Sequence, residues 1–289
     1  MRSEKEMFDL ILNVAKKDSR ILAVVMNGSR VNPNVPKDIF QDYDIVYVVK
    51  DVKDFLEDRS WIINFGELMI MQTPDEMGDS YNNHDERFCF LMQFIDGNRI
   101  DLTFYSVEKT EDLKQDSLSK ILLDKEGILG TFPPPSEKDY LPKPPTKKEF
   151  QDCCNEFWWV NPYIAKGIWR EELSYAKFMF DGPVRKMFMK MLTWYIGIET
   201  DFKKSPGKLG KYFKNYLKPK EWNEFILTYS DGNYENMWES LFAMNKLFRE
   251  TATKVGKHFG YDYPCGDDKR VTAHLKHVKT LPRDAKKMY

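Results

Sequence analysis

The 289-residue sequence has no Cys-x-x-Cys pair, no G-x-x-x-x-G-K-S/T loop, no long apolar run and almost no net charge. Each absence excludes something. Four cysteines, Cys89, Cys153, Cys154 and Cys265, make no disulfide framework, and adjacent Cys153-Cys154 is a poor structural bridge, so reduced thiols are expected. His274 and His277, with Cys265 and His258 nearby, match no strong zinc spacing. The missing glycine-lysine loop rules out a P-loop protein. No stretch approaches the roughly 20 apolar residues of a membrane span. The first residues carry neither the apolar core nor the cleavage site of a secretory leader, so a cytoplasmic chain with no membrane partner is expected. A formal net charge of −1 argues against a chain-wide nucleic-acid footprint. Internal repeats and low-complexity tracts are also missing.

What is present suits one large or two modest domains: 42% hydrophobic and 15% aromatic residues are ample for packed cores. Charge is divided unevenly. Residues 1–140 hold 17 Lys+Arg against 27 Asp+Glu, a balance of −10, and the remainder stands at +9. An acidic half can hold metal and attract a polycation; a basic half can help with a polyphosphate. Solvated surface explains part of the same imbalance.

The pattern of elements changes along the chain. Residues 3–17 read as an amphipathic helix with Ser3 and Glu6 as a capping box. Residues 21–27, 43–49, 66–72, 88–95 and 99–105 read as strands, with a short helix at 52–60, a polar loop at 75–87 and a tight turn at Asp96-Gly97-Asn98. Leu113, Leu118, Ile121, Leu122 and Leu123 predict a helix over 109–126. Six prolines in residues 132–145 predict a linker. Beyond it the periodicity is helical: 147–160, perturbed or restarted at Pro162, then 164–180 and 183–199 joined at Asp181-Gly182, then 208–217, 220–229 and 234–259. From about Val271 the chain is basic with little periodicity, the pattern of a poorly anchored tail. The division is a sheet domain at 1–132, a linker at 133–145, a helical domain at 146–270 and a tail at 271–289.

The chemistry concentrates in residues 24–44, VVMNGSRVNPNVPKDIFQDYD. A strand ends at Gly28-Ser29-Arg30, and the next begins through Asp42-Tyr43-Asp44. Strand side chains alternate, so Asp42 and Asp44 point to the same side. Two adjacent carboxylates repel and call for a cation, and Mg²⁺ prefers a few carboxylates plus substrate phosphates. Glycine lets backbone approach a ligand, and serine adds a hydroxyl to N–H groups that cradle phosphate. The set suggests a nucleoside triphosphate with magnesium. Asp101 stands between apolar Ile100 and Leu102, either facing solvent on an edge or serving a purpose.

G-S, a short spacer and D-x-D, followed by a carboxylate on a later strand, resembles the nucleotidyltransferase superfamily that includes DNA polymerase beta. N-G-S-R, Q-D-Y-D-I-V-Y-V-V, W-I-x-x-F-G-E-L-x-I-M-Q and G-x-R-I-D-L-T are similar to the bacterial aminoglycoside 6-adenylyltransferases, over nearly the whole chain. The resemblance implies an α+β fold: an N-terminal mixed-sheet nucleotidyltransferase domain, then an all-helical domain, with the active site in the cleft between them. It implies AMP transfer from ATP to the 6-hydroxyl of streptomycin, releasing pyrophosphate, by in-line attack with two Mg²⁺ about 3.5–4 Å apart. Asp42 and Asp44 then hold metal, and Asp101 is the base that also touches metal. Gly28, Ser29 and Arg30 lie by the phosphates. Lys208 and Lys211 reach the triphosphate or simply open a basic surface helix. For a guanidinium-bearing acceptor, Glu67, Asp75, Asp79, Trp158, Trp159 and Glu171 are candidates, each equally suited to surface or core. The partners expected are ATP and an aminoglycoside, the chain being a monomer. Transfer to another antibiotic, a protein or an RNA end, or a non-catalytic nucleotide-binding module, are the alternatives; a tailing enzyme would show a basic, aromatic groove, which the acidic first half opposes.

Overall fold

The computed structural model describes residues 1–78 and 85–289, and the fold is α+β. The chain divides into two compact units, Met1–Asp139 and Tyr140–Tyr289. The division falls inside the proline-rich stretch, so residues 133–139 belong to the first unit and 140–145 to the second.

The first unit opens with α1 (Glu4–Lys17), whose capping box is formed by Ser3 and Glu6 as the sequence predicts. It continues through β1 (Ile21–Asn27), β2 (Tyr43–Val49), α2 (Lys53–Glu57), β3 (Leu68–Gln72), β4 (Arg87–Phe94), β5 (Arg99–Ser106) and β6 (Ser119–Asp124). Among the described residues these strands form one mixed sheet in the order β3-β4-β5-β2-β1-β6. Only the β2–β5 pair is parallel; the other four pairs are antiparallel. One face is closed by α1, α2 and the turn Ser60–Phe65, burying Ile11, Tyr47, Phe55, Trp61, Phe90 and Phe104. The opposite face carries a smaller cluster around Val25, Val46, Val48 and Leu129. Beyond that cluster it opens toward β4 and β5, whose residues on this side are only half-buried.

β6 corrects the helix expected over 109–126. Residues Val107–Lys114 make 3-10 turns, and Ser119–Asp124 run antiparallel to β1. Leu118, Ile121, Leu122 and Leu123 satisfy either period over so short a run. The free edge of β1 decides, because its backbone groups need partners.

The second unit is all-helical: α3 (Lys147–Trp169), α4 (Leu173–Met179), α5 (Arg185–Glu199), α6 (Phe213–Tyr216), α7 (Pro219–Leu227), α8 (Tyr234–Phe259) and α9 (Cys265–Thr280). Four expectations are corrected here. Pro162 does not interrupt α3. The Asn161 amide donates to the Phe157 carbonyl (2.7 Å), and buried neighbours on both sides hold the helix through the proline. The break comes later, at Glu171, which adopts φ 59°. Asp181-Gly182 is not a joint either, since Phe180–Val184 form a π-helical turn that carries α4 into α5. The helix expected over 208–217 shrinks to the turn Lys208–Gly210 and α6, because Gly207, Leu209 and Gly210 all take positive φ. The expected tail is largely helix: α9 buries Asp268, Leu275 and Val278, and Asp268 pairs with Arg249 of α8 at 2.5 Å.

Candidate active site

Register brings the candidate residues together. Directly opposite partners on neighbouring strands face the same side of a sheet. Ser119, Asn27, Asp44, Asp101, Leu91 and Gln72 therefore form a single row across β6, β1, β2, β5, β4 and β3. Asp44 and Asp101 are immediate partners in the parallel pair. Their chain neighbours Tyr43, Ile45, Ile100 and Leu102 are buried on the helix-covered face, which turns both carboxylates to the open one. Asp42 precedes β2, with its side chain 39% exposed. Asn27, which strand spacing does not single out, joins the row, and its amide oxygen accepts from Ser119 Oγ at 3.0 Å.

Gly28 shapes the floor beneath Asp44. Its φ is +76°, and a Cβ there would lie 2.1 Å from Asp44 Oδ2. Glycine is needed twice over, for the left-handed backbone and for the room. The Gly28 N–H is taken by the Leu118 carbonyl (3.1 Å), which ties the turn to the start of β6. Ser29 and Arg30 follow in the 3-10 turn Gly28–Arg30, where early N–H groups have no acceptor within the turn.

Arg30 has a part the sequence reading missed. Rather than presenting free charge, it donates to the carbonyls of Asp42 (Nε, 3.0 Å) and Gln41 (2.7 Å). Its guanidinium lies 3.7 Å over the Tyr43 ring, and only 8% of the side chain is exposed. Arg30 thereby fastens the end of the loop to the turn that begins it. Gln41 donates to the Ser29 carbonyl (3.4 Å), and its own Oε1 is buried without a donor among the described residues.

Arg99 is the second unforeseen member. It stands two residues before Asp101, hence on the same face of β5. Nε and one terminal nitrogen donate to the two Asp101 oxygens at 2.7 and 2.9 Å, and Nε is 3.7 Å from Asp42. The turn feeding this strand is tied to the chain's first residues. Asp96 accepts from Arg2 and Asn98; although burial works the other way, these bonds hold its carboxyl well below the usual range.

The electrostatics mark a site short of positive charge. Burial first, then the carboxylates of Asp101 and Asp42, push Asp44 up to about 6. Asp42 is raised by burial and by Asp101, against the pull of Arg99. Hard carboxylate oxygens on adjacent strands are the donors a magnesium ion takes. Among the described residues no three His, Cys, Asp or Glu side chains converge as a finished metal cage, and Arg99 engages both oxygens of Asp101. The donor types fit a divalent cation, with a guanidinium lying between Asp42 and Asp101.

The other candidates are scattered. Lys208 belongs to the helical unit and lines a cavity of about 760 Å³ together with Lys186, Lys190 and Met189. Lys211 lies 5.0 Å over the Tyr212 ring. Asp75 accepts the Cys89 N–H at 2.8 Å beside the open sheet face. Glu67 is exposed on the sheet unit. Trp158 is core and donates to Tyr263, Trp159 is exposed, and Glu171 pairs with Arg283. Asp79 lies outside the described residues. His274 meets the Tyr289 hydroxyl and His277 the Met288 carbonyl.

A family model described as Streptomycin adenylyltransferase matches residues 1–278 of the chain. The aminoglycoside 6-adenylyltransferase of Bacillus subtilis (strain 168) is 41% identical over 270 residues, covering 93% of this chain and 95% of that protein. That of Campylobacter jejuni is 40% identical, with 93% of each covered, and that of Staphylococcus aureus 36%, with 91% and 94% covered.

Proposed function

The chain belongs to the streptomycin adenylyltransferase family of nucleotidyltransferases, and we propose that it transfers AMP from ATP to the 6-hydroxyl of streptomycin, releasing pyrophosphate. The observation that carries this reading is the pairing of Asp44 with Asp101 in register beside Gly28. Asp42, Asp44 and Asp101 would hold Mg²⁺, which when bound supplies charge stabilisation on the phosphates. Gly28 and Ser29 orient the β- and γ-phosphates at the turn. Arg30 positions Asp42 by holding the loop that leads to it.

Asp101 accepts the proton of the acceptor hydroxyl as its oxygen bonds to the α-phosphorus. The bond from that phosphorus to the bridging oxygen breaks, and pyrophosphate leaves with the electron pair. The surface beside Asp101 on this face includes the half-buried Leu91, Gln93 and Thr103, the side on which the proposed acceptor would lie. All four cysteines are free and no helix among the described residues is long and apolar enough to cross a membrane. Both support a chain working in the ATP-rich cytoplasm.

The test is pyrophosphate release from ATP and Mg²⁺ with and without streptomycin. Stimulation by the drug, absent in Asp44→Ala, supports the reading. Stimulation only by another aminoglycoside keeps the site and replaces the acceptor, and full turnover by Asp44→Ala removes the metal assignment.

A further inference from the structure

Two arginines serve this site, and their surroundings differ. Arg30 is almost fully buried and bonds to neutral backbone carbonyls as well as reaching Glu4 at 3.5 Å. It is a fixed part of the loop. The Arg99 side chain is 37% exposed, and its ion-pair partners are Asp101 and Asp42. A guanidinium held by carboxylates at a solvent-facing rim can exchange them for another anion, since water is available to solvate it on the way.

We propose that Arg99 is an exchangeable internal counter-cation. It pairs with Asp101 and is displaced when a divalent cation binds there with its nucleotide. The inference rests on the reading of Asp42, Asp44 and Asp101 as the metal-holding set.

The geometry sets the competition. The Arg99 fork takes one oxygen of Asp101 at 2.7 Å and the other at 2.9 Å, and its Nε stands 3.7 Å from Asp42. A magnesium ion sits about 2.0–2.1 Å from each oxygen it binds. An ion held by Asp44 and Asp101 would compete with the guanidinium for the same Asp101 oxygens. Like charges brought to one carboxylate oppose each other. Binding therefore requires that Arg99 withdraw, and the phosphates entering with the metal offer a planar donor fork a better partner than open water.

The consequence is an order of events. With Arg99 in place, both Asp101 oxygens accept charge-assisted hydrogen bonds, and they pass to the metal only when it arrives with the nucleotide.

The experiment measures Mn²⁺ binding by the loss of the free-ion electron paramagnetic resonance signal. It uses the full chain without nucleotide, and again with a non-hydrolysable ATP analogue. The proteins are wild type, Arg99→Met, Arg99→Lys and, as a site control, Asp44→Asn. Without nucleotide, Arg99→Met is expected to bind Mn²⁺ more tightly than wild type, on the order of tenfold. Arg99→Lys should fall between them, since a single ammonium cannot hold both oxygens. The analogue should narrow the gap, and Asp44→Asn should weaken binding throughout.

A residue that merely supports the carboxylates gives the opposite sign, because its removal loosens the metal. Unchanged or weaker binding by Arg99→Met, with wild type binding normally, overturns the proposal and leaves the metal assignment intact. No Mn²⁺ binding by any protein, with or without the analogue, overturns the metal assignment itself and the proposal with it.

Discussion

Gly28 and Asp44 are tied together by space. The missing side chain of one is the volume filled by the carboxylate of the other. Gly28→Ala should therefore displace Asp44 and strain a backbone at φ +76°. A shift of this kind costs on the order of a hundredfold in kcat/KM, with about 1–3 kcal/mol of stability. Steady-state kinetics and thermal unfolding of the variant check both figures; wild-type kinetics would mean that Asp44 needs no fixed position. The elevated pKa of Asp44 gives a second prediction. A carboxyl raised from 3.8 to about 6 keeps its proton in the folded chain where the unfolded chain has lost it. In the metal-free protein, stability from this group is intact below about pH 4 and falls as pH rises to 6. Asp44→Asn should thus raise the unfolding midpoint at pH 8 and leave it unchanged at pH 4, while abolishing transfer. An equal shift at both pH values would refute the electrostatic cause. At this scale spacing makes Asp42 and Asp44 legible as a pair at the start of one strand, while Asp101 is legible only through the family resemblance and the register that sets it beside Asp44. Asn27, Arg99 and the true part of Arg30 depend on register and loop closure, which spacing does not encode.

Among elements, β6 and α9 teach the most. Both were misread because their apolar residues are few. Ile121, Leu122 and Leu123 suit a strand or a helix, and the open edge of β1 chose. In α9 two residues, Leu275 and Val278, carry the hydrophobic contact, and Asp268 adds a buried ion pair with Arg249. Such a helix is stable only through what it packs on. Leu275→Ala should destabilise the protein by about 2–5 kcal/mol, the range for a fully buried leucine. Denaturant unfolding measures it, and a cost near zero would restore the loosely held tail. By contrast α1 and α8 were plain in the sequence, since Ser3 and Glu6 write one cap and a long apolar stripe writes the other helix.

For the whole molecule, the charge division and the fold division coincide. Tyr140 is uncharged, so Met1–Asp139 carries the full −10 and Tyr140–Tyr289 the +9. If the proposed acceptor is cationic, a sheet unit rich in carboxylates is expected to attract it at long range, and salt to screen that attraction. Raising ionic strength from 0.1 to 1 M cuts the screening length from about 10 to about 3 Å. The KM for streptomycin at saturating ATP should rise severalfold over that range, with kcat changing far less. A KM indifferent to salt would show that the acidic surface plays no part in capture. The two-unit division was visible in the six prolines of residues 132–145. The point of division within them was not, because residues such as Asp139, which accepts the Ser117 N–H at 2.9 Å, are claimed by tertiary hydrogen bonds.

The most direct test of the central claim is the mass and structure of the drug after reaction. Streptomycin incubated with the protein, ATP and Mg²⁺ should gain one AMP, and nuclear magnetic resonance should place it on the 6-hydroxyl. Asp101→Asn, with its fold intact, should give no product. Unmodified streptomycin beside an active-site-dependent gain on another acceptor would contradict the assigned substrate; product formed at the wild-type rate by Asp101→Asn would contradict the assigned chemistry.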